Sequence, residues 1–307
     1  MSPLSALFLS SGDPTLDRRH AWARGLIERG EANAAAELLS ETLAHAPGFI
    51  AGWFLLGETQ EEIGDKEAAA KSFRRVLALD PDDRLGAGLR LARLGERNTA
   101  RAMSSAYVRT LFDQYAARFD RELVESLHYN APALLRAALD RTAGERRFAR
   151  VFDLGCGTGL MGEANRDRAD ELVGVDLSKK MIEVAERKKI YNRLAVGDLL
   201  ESFAAEAEPF DLIVAADVFV YLPDLKPIFT AVAVKLSPAG YFAFTVETHD
   251  GDGAVLGGTL RFAHGEPHLR AAAQSAALEI LLLEKVSARR ERNIPVEGLL
   301  AVLRRRG

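Results

Sequence analysis

Three glycines at alternate positions, Gly155, Gly157 and Gly159, follow directly on the apolar run 150–154. A buried strand that enters a glycine-rich turn and continues as a helix lets a ligand press against backbone N–H groups. Dinucleotide-binding folds space these glycines as G-x-G-x-x-G, and their turn receives a pyrophosphate. Here the spacing is G-x-G-x-G and Asp153 precedes it, an acid that repels a phosphate and suits a cation. The turn therefore predicts an α/β fold with a ligand site that does not hold a pyrophosphate.

Short apolar runs alternate with helical stretches from residue 148 onwards, which is typical of parallel strands joined by helices. The runs are 150–154, 172–175, 193–196, 212–216 and 241–246. Two more strand-like runs, 278–286 and 296–303, flank a basic loop with Pro295 and predict an antiparallel pair at the sheet edge. The fold class is therefore α/β, preceded by an all-helical module.

Acidic residues end four successive predicted strands. They are Asp153, Asp176, Asp198 and Asp217. Ligands in open α/β sheets bind beyond the carboxyl ends of the strands, so we expect the four side chains to face one crevice. Asp176 lies 23 positions after Asp153, where an acid accepts hydrogen bonds from a ribose diol.

The first part of the chain is rich in Ala, Leu, Glu and Arg, with apolar residues at the i, i+3, i+4 spacing of helices. Within it Ala35 and Pro47 recur as Ala69 and Pro81, 34 positions later. A repeat of this length predicts stacked helical hairpins.

The second copy of this repeat resembles the tetratricopeptide repeat, since Trp53 and Gly57 fit its W-x2-L-G pattern and Phe73 its aromatic position. The first copy, 16–49, is degenerate, because Ala23 stands where Gly57 does and Trp22 is shifted. A capping helix is expected over 84–95. The resemblance implies a surface for a protein partner; a plain helical hairpin without a partner is the alternative.

The predicted organisation has four parts. These are a flexible tail at 1–14, the repeats at 15–96, linker and lid helices at 97–147, and the α/β domain at 148–307.

The overall composition excludes several classes of protein. The formal net charge is −4, and all of the acidic excess falls in 151–307, so nucleic acid is not an expected partner. A single cysteine, Cys156, excludes a disulfide framework, and no His, Asp and Glu spacing predicts a metal site. No apolar run reaches the ~18 residues of a membrane span, so a cytoplasmic location is expected.

The motifs of the second half, taken in order, resemble those of the class I S-adenosylmethionine-dependent methyltransferases. The matching segments are the turn 153–159, Gly-Val-Asp-Leu-Ser at 174–178, Gly-Asp-Leu at 197–199, the strand motif 210–222 and the turn 236–244. The resemblance implies a seven-stranded Rossmann-like sheet with its last strand antiparallel, and S-adenosyl-L-methionine as the cofactor. The whole chain resembles predicted bacterial methyltransferases with N-terminal tetratricopeptide repeats.

The resemblance also implies which residues hold the cofactor. Asp176 would hold the ribose, Asp198 and Leu199 would meet the adenine, and Asp217 would lie next to the transferred methyl group, in a catalytic role. The remaining expected cofactor residues are Asp153, Gly155, Cys156, Gly157 and Gly159 at the methionine end, with Cys156 a small apolar filler, and Leu177 and Met181 near the adenosine.

The segment 111–120 resembles the Phe-Asp-x-Tyr-Ala lid of quinone-type and carboxyl methyltransferases. Tyr115 and Phe119 are four residues apart, so on one helix they share a face. We expect Tyr115 to cover the sulfonium, because an aromatic ring attracts a cation. Packing on the sheet is expected for Phe119.

Residues after the fourth and fifth strands are candidates for the methyl acceptor site. They are Tyr221, His249 and Arg261 for binding, with His264 as general base. The planar charge of Arg261 suits a carboxylate, so a small acidic metabolite or a carrier-bound acid is the expected acceptor. In the alternative, Arg261 pairs with Glu247 or Asp250 and only orders its loop, and His264 is structural.

Two other functions stay open at this stage. One is a tetratricopeptide scaffold or protein methyltransferase whose repeats recruit a protein partner. The other is an NAD-dependent oxidoreductase, which the acid at Asp153 argues against. Oxygen, nitrogen and carbon are all candidate atoms for the methyl transfer.

Overall fold

The structure, a computed structural model, describes residues 9–123 and 127–306. The chain forms two compact units, Met1–Tyr107 and Val108–Gly307. Most of the predicted tail 1–14 lies outside the described residues, and the first long helix begins at Pro14.

The first unit consists of helices that pack as successive antiparallel hairpins. They are α1 (Pro14–Glu28), α2 (Ala32–His45), α3 (Ile50–Ile63), α4 (Lys66–Leu79) and α5 (Ala87–Arg93). Helix α2 packs against both α1 and α3, and α4 packs against both α3 and α5. The Asp65 side chain caps α4 by accepting a hydrogen bond from Ala68 N, and Gly64 ends α3 in the left-handed conformation. Helix α5 stands where the capping helix was expected.

The contact between α3 and α4 explains the repeat motif in steric terms. A Cβ atom on Gly57 would lie 2.7 Å from Cε1 of Phe73, whose side chain is fully buried. Ala69 is fully buried as well, and Trp53 donates a hydrogen bond from Nε1 to Pro47 O. In the degenerate first copy the shifted Trp22 is 63% exposed. Small residues therefore occur where the helices touch, as predicted.

We expect Gly57→Val to lower the free energy of unfolding of the helical unit by roughly 1–3 kcal/mol, because the added side chain overlaps the Phe73 ring. Gly48→Val is the matched control, since nothing lies within 4 Å of a Cβ at that glycine. Urea unfolding followed by circular dichroism measures both changes. Equal midpoints for the two variants would contradict this account of the hairpin.

The second unit is an α/β domain. Its helices are α6 (Ser105–Tyr115, which leads into it), α7 (Phe119–Arg121), α8 (Ala131–Ala143), α9 (Leu160–Asn165), α10 (Lys179–Lys188), α11 (Leu199–Ala205), α12 (Lys226–Lys235) and α13 (Glu266–Ser275). Its strands are β1 (Phe148–Leu154), β2 (Ala169–Asp176), β3 (Arg193–Val196), β4 (Phe210–Ala215), β5 (Leu236–His249), β6 (Ala254–Leu256), β7 (Phe262–Gly265), β8 (Leu278–Val286), β9 (Arg290–Glu291), β10 (Ile294–Pro295) and β11 (Gly298–Arg305).

The main sheet follows the order β3-β2-β1-β4-β5-β11-β8. Strands β1 to β5 run parallel, and β11 is antiparallel to both of its neighbours, β5 and β8. This confirms the predicted α/β fold class with an antiparallel last strand. Because the sheet order reverses between β1 and β4, their carboxyl ends flank a crevice, as open α/β sheets require.

Two short strands that the sequence did not reveal extend the sheet from seven to nine strands. Strand β5 continues to His249, past Phe244, where its pairing with β4 ends. Strand β7 takes the edge that β4 leaves free, with Glu247 opposite Ala263, and β6 pairs with β7. The predicted loop after the fifth strand is therefore partly strand.

Apolar side chains pack on both faces of the sheet because successive strand residues alternate in direction. In β5, Phe242 and Phe244 belong to the core cluster under α12 and α13, whereas Tyr241 and Ala243 belong to the cluster under α8. Within the described ranges, no helix is both long and apolar enough to cross a membrane.

Candidate cofactor and acceptor site

The glycine turn between β1 and α9 has a backbone that side chains other than glycine rarely adopt. Gly155, Gly157 and Gly159 have φ angles of +60°, +54° and +97°. A Cβ on Gly155 would also lie 2.7 Å from Cγ2 of Val218, which follows β4. The three glycines are thus required by local geometry, and the turn lies against the end of β4.

The carboxylate of Asp176, at the end of β2, braces this turn. One oxygen accepts a hydrogen bond from Gly157 N at 3.0 Å, and the other accepts one from Ser178 N at 2.7 Å. Burial raises the pKa of Asp176 to about 6. A carboxylate offers about four lone-pair sites, so two acceptor positions stay available for a ribose diol.

Asp153 lies beneath the turn, 1% exposed. Tyr191 Oη donates a hydrogen bond to its Oδ2 at 2.6 Å, and burial raises the pKa of Asp153 to about 7. The thiol of Cys156 is buried close by, and burial raises its pKa as well. Asp153 and Cys156 therefore support the turn from below, and Tyr191 is a supporting residue that the motifs did not reveal.

The residues expected near the adenosine lie at the ends of β2 and β3. Asp198 caps α11 by accepting a hydrogen bond from Leu200 N at 2.8 Å, and it is half-buried. Leu177 and Leu199 are half-buried too, and Met181 is fully buried in α10. The structure thus brings these residues to the same edge of the sheet as Asp176.

The lid differs from its prediction. Helix α6 ends at Tyr115 and a turn precedes Phe119, so these residues do not share a helix face. Tyr115 is 37% exposed and contacts the guanidinium of its neighbour Arg118 at 5.0 Å. The ring of Phe119, expected only to pack, approaches the Gly157 position to 3.8 Å.

Three aromatic rings pack together beside the glycine turn, and they are Phe112, Phe119 and Tyr221. The Phe112 ring centroid lies 5.9 Å from that of Phe119 and 5.4 Å from that of Tyr221, both edge-on. Of these residues, only Tyr221 was predicted to belong to the acceptor site. The sequence did not indicate this position for Phe112, because its apolar periodicity does not reveal that the helix ends at residue 115.

Two carboxylates attach this lid to the crevice. Asp113 accepts a hydrogen bond from Ser178 Oγ at 2.5 Å, and Asp120 accepts one from Thr158 Oγ1. Lys188 also pairs with Asp120 at 2.8 Å. The lid is therefore joined to both the glycine turn and the end of β2.

A buried charge cluster lies where β4 and β5 end. Arg289 is 6% exposed, and its Nη1 lies 2.5 Å from Asp217 Oδ2. Arg289 also pairs with Glu247, as does Arg261, and both arginines pair with Glu291. Although burial opposes protonation, Asp217 and Glu247 raise the pKa of Arg289, and Tyr221 and Glu247 raise that of Arg261.

Asp217 has a constrained backbone within this cluster. Its φ is +57°, and Thr245 Oγ1 both accepts a hydrogen bond from its N–H and donates one to its Oδ1. Such strain in a non-glycine residue is retained at functional sites. The basic loop before Pro295 was visible in the sequence, but nothing there indicated that Arg289 turns inward, 72 positions from Asp217.

Arg261 and His264 do not meet in one crevice. His264 lies in β7 and is fully buried, with Nε2 3.1 Å from Phe219 O and its ring stacked on His268. Burial lowers the pKa of His264 to about 4. Arg261 lies just before β7 and pairs with Glu247 and Glu291, so the two side chains have different partners.

His249, the remaining acceptor candidate, shapes the turn after β5. Its Nδ1 accepts a hydrogen bond from Gly251 N at 3.0 Å, and its Nε2 lies 3.2 Å from Gly253 O. It lines a surface cleft with Glu266 and Arg270, whereas the small pocket at Arg289 has other lining residues. The structure therefore separates His249 from the charge cluster.

Two protein families match this chain. Residues 152–244 match the family model of a methyltransferase domain, and residues 26–94 match that of a tetratricopeptide repeat. The matched segments contain the glycine turn in one unit and the α3–α4 hairpin in the other.

Curated relatives match part of the chain. The ubiquinone biosynthesis O-methyltransferase of Idiomarina loihiensis is 30% identical over 115 residues, 35% of this chain and 46% of that protein. The malonyl-[acyl-carrier protein] O-methyltransferase of Salmonella typhimurium is 32% identical over 100 residues, 33% of this chain and 39% of that protein. The chain thus spans less than half the length of these relatives.

Solved structures share the fold of the second unit. Magnesium protoporphyrin IX methyltransferase from Synechocystis PCC 6803, with bound SAH, aligns with a TM-score of 0.52 at 16% identity, over 66% of this chain and 99% of that one. A [4+2]-cyclase aligns with a TM-score of 0.51 at 16% identity, over 65% and 95%.

The chain therefore carries a segment that matches a methyltransferase domain, 152–244, after a segment that matches tetratricopeptide repeats, 26–94. This confirms the resemblance that the ordered motifs predicted.

Asp153 predicts a pH dependence of stability. Its pKa is raised from 3.8 to about 7 in the folded protein, so the folded state retains a proton that the unfolded chain has released. The free energy of unfolding therefore falls as pH rises from about 4 to about 7. Asp153→Asn cannot titrate and is expected to lose this part of the dependence.

Urea unfolding of wild type and Asp153→Asn at about pH 5 and about pH 8 measures this difference. Wild type should lose more stability than the variant between the two conditions. Equal losses would show that Asp153 ionises at its ordinary pKa despite its burial.

Proposed function

We propose that this protein transfers a methyl group from S-adenosylmethionine to an oxygen atom of a small acceptor molecule. The observation that carries the proposal is the glycine turn braced by Asp176, with acids at the ends of the neighbouring strands. Oxygen is chosen because both curated relatives described above are named as O-methyltransferases.

The residues of the crevice fit this cofactor chemically. Asp176 keeps two acceptor positions for ribose hydroxyls, and the glycine turn lets a ligand approach the backbone closely at the start of α9. Leu199 and the buried Met181 offer apolar surface beside the adenine. A sulfonium would lie among the rings of Phe112, Phe119 and Tyr221, whose faces attract a cation.

S-adenosylmethionine supplies a methyl group on a positively charged sulfur, ready for in-line displacement. The chain contributes binding, orientation and exclusion of water. Asp176 orients the ribose, and the lid held by Asp113 and Asp120 closes over the turn. A general base is needed only if the acceptor must lose a proton. His264 is too deeply buried to take a proton from the acceptor, so we assign it a packing role.

The acceptor would enter beside Asp217 and Tyr221. The expectation of an acidic acceptor depends on Arg261, whose guanidinium already pairs with Glu247 and Glu291. An acidic metabolite or a carrier-bound acid would have to replace Glu291, whose side chain is the more exposed of the two partners. We retain the acidic acceptor as the narrower form of the proposal, with this exchange as its requirement.

We expect Asp176→Ala to weaken binding of S-adenosylmethionine by at least ~1.5 kcal/mol, roughly tenfold, because hydrogen bonds to a charged group are lost. Isothermal titration calorimetry on the full chain measures the change. Asp170→Ala is the matched control, since Asp170 is exposed near the opposite end of the same strand and pairs with Arg147. Equal affinity in wild type and Asp176→Ala would refute the assignment of the crevice.

We also propose that the two units have separate roles. The segment 97–147 provides the lid and linker, 148–307 holds the cofactor, and the repeats at 15–96 recruit a protein partner. The supporting observations are the division after Tyr107 and the 63% exposure of Trp22. A cytoplasmic location stays a prediction from composition.

A chain that lacks residues 1–95 is expected to stay folded and to bind S-adenosylmethionine with the affinity of the full chain. Every residue assigned to the cofactor lies at or beyond Phe112, in the second compact unit. Circular dichroism and calorimetry provide the two readouts. An insoluble product, or one that has lost cofactor affinity, would show that the repeats complete the domain.

A further inference from the structure

Arg289 and Asp217 form a buried ion pair within the charge cluster. Side chains alternate around β9, so Arg289 and Glu291 belong to the cluster, whereas Arg290 between them is exposed. The Arg289 guanidinium has three carboxylate partners, and its Nη1–Oδ2 distance to Asp217 is 2.5 Å. A loop distant in sequence thus places a positive charge at the end of β4.

The position of Asp217 gives this ion pair a consequence for the cofactor. Val218, the next residue, packs against Gly155, so Asp217 stands where the turn and the end of β4 meet. An uncompensated carboxylate there attracts a positively charged sulfur more strongly than a neutral one. Since the charge on sulfur disappears during transfer, such attraction stabilises the ground state and opposes the reaction.

We propose that Arg289 neutralises Asp217 and thereby sets the relative affinity of the crevice for a sulfonium and for its neutral thioether product. The inference rests on the proposed function, since it requires S-adenosylmethionine in the crevice. Arg289 is a positioning residue in this scheme, because it acts through the charge of Asp217.

The cluster as a whole supports this role. Two arginines face three carboxylates, Asp217, Glu247 and Glu291, which leaves one negative charge when all are ionised. Loss of Arg289 would leave two negative charges in excess next to the turn. A role limited to tying the 289–291 segment in place would instead affect both ligands alike.

Calorimetry on the full chain with S-adenosylmethionine and with S-adenosylhomocysteine tests the inference through the ratio of their dissociation constants. Arg289→Met should shift this ratio about tenfold in favour of the sulfonium, from the loss of one nearby charge. Arg289→Lys keeps the charge and should restore the wild-type ratio.

Asp217→Asn is the second variant, which keeps the test decisive if Arg289→Met does not fold. It changes the net charge of the cluster from one negative to zero, so the ratio should move in the opposite direction. Arg168→Met is the control, because Arg168 is similarly buried and pairs with Asp140 just before the start of β2, away from the crevice. It should leave the ratio unchanged.

The outcomes separate this inference from the proposed function. If wild type binds neither ligand, the proposed function fails. If wild type binds both and the ratio is unchanged in Arg289→Met, or in Asp217→Asn where only that variant folds, the inference is overturned and the proposed function stands. A ratio that moves in opposite directions in the two variants supports it.

Discussion

The hydrogen bond from Gly157 N to the Asp176 carboxylate is the contact on which the site depends. It joins the turn after β1 to the end of β2, and the same carboxylate accepts a bond from Ser178 N at the start of α10. Three positive φ angles shape the turn that brings the Gly157 N–H to this carboxylate. A charged acceptor at 8% exposure is costly, and these backbone donors offset part of that cost.

The opposite wall of the crevice contains a cluster of charged side chains. Glu247 lies in the part of β5 that continues beyond β4, and it pairs with Arg289 and Arg261. Thr245 holds Asp217 in a left-handed backbone conformation. Buried ion pairs stabilise a fold weakly, because desolvation cancels much of the attraction. We therefore connect these ion pairs with the charge of a ligand rather than with stability.

The sequence predicted the parts of the site that follow from strand topology. Acids at the ends of parallel strands share one edge of the sheet, so Asp176, Asp198 and Asp217 could be placed together before any coordinates. The repeat was equally accessible, because a small residue at Gly57 and a large one at Phe73 reflect one helix contact.

The features of the site that the sequence did not predict depend on element ends and long-range contacts, which leave no periodic signal in the sequence. Helix α6 ends at Tyr115, which gives the lid position to Phe112 and Phe119. Strand β7 buries His264 against Phe219, whereas Arg261 just before the strand pairs with Glu247 and Glu291. Arg289 reaches Asp217 across 72 positions, a contact that only the folded sheet defines.

The structure of the full chain crystallised with S-adenosylhomocysteine tests the central claim most directly. The account predicts density over the glycine turn, ribose hydroxyls within hydrogen-bond distance of Asp176, and the sulfur beneath Phe112 and Phe119. A ligand bound elsewhere, or one in this crevice whose ribose does not touch Asp176, would contradict it.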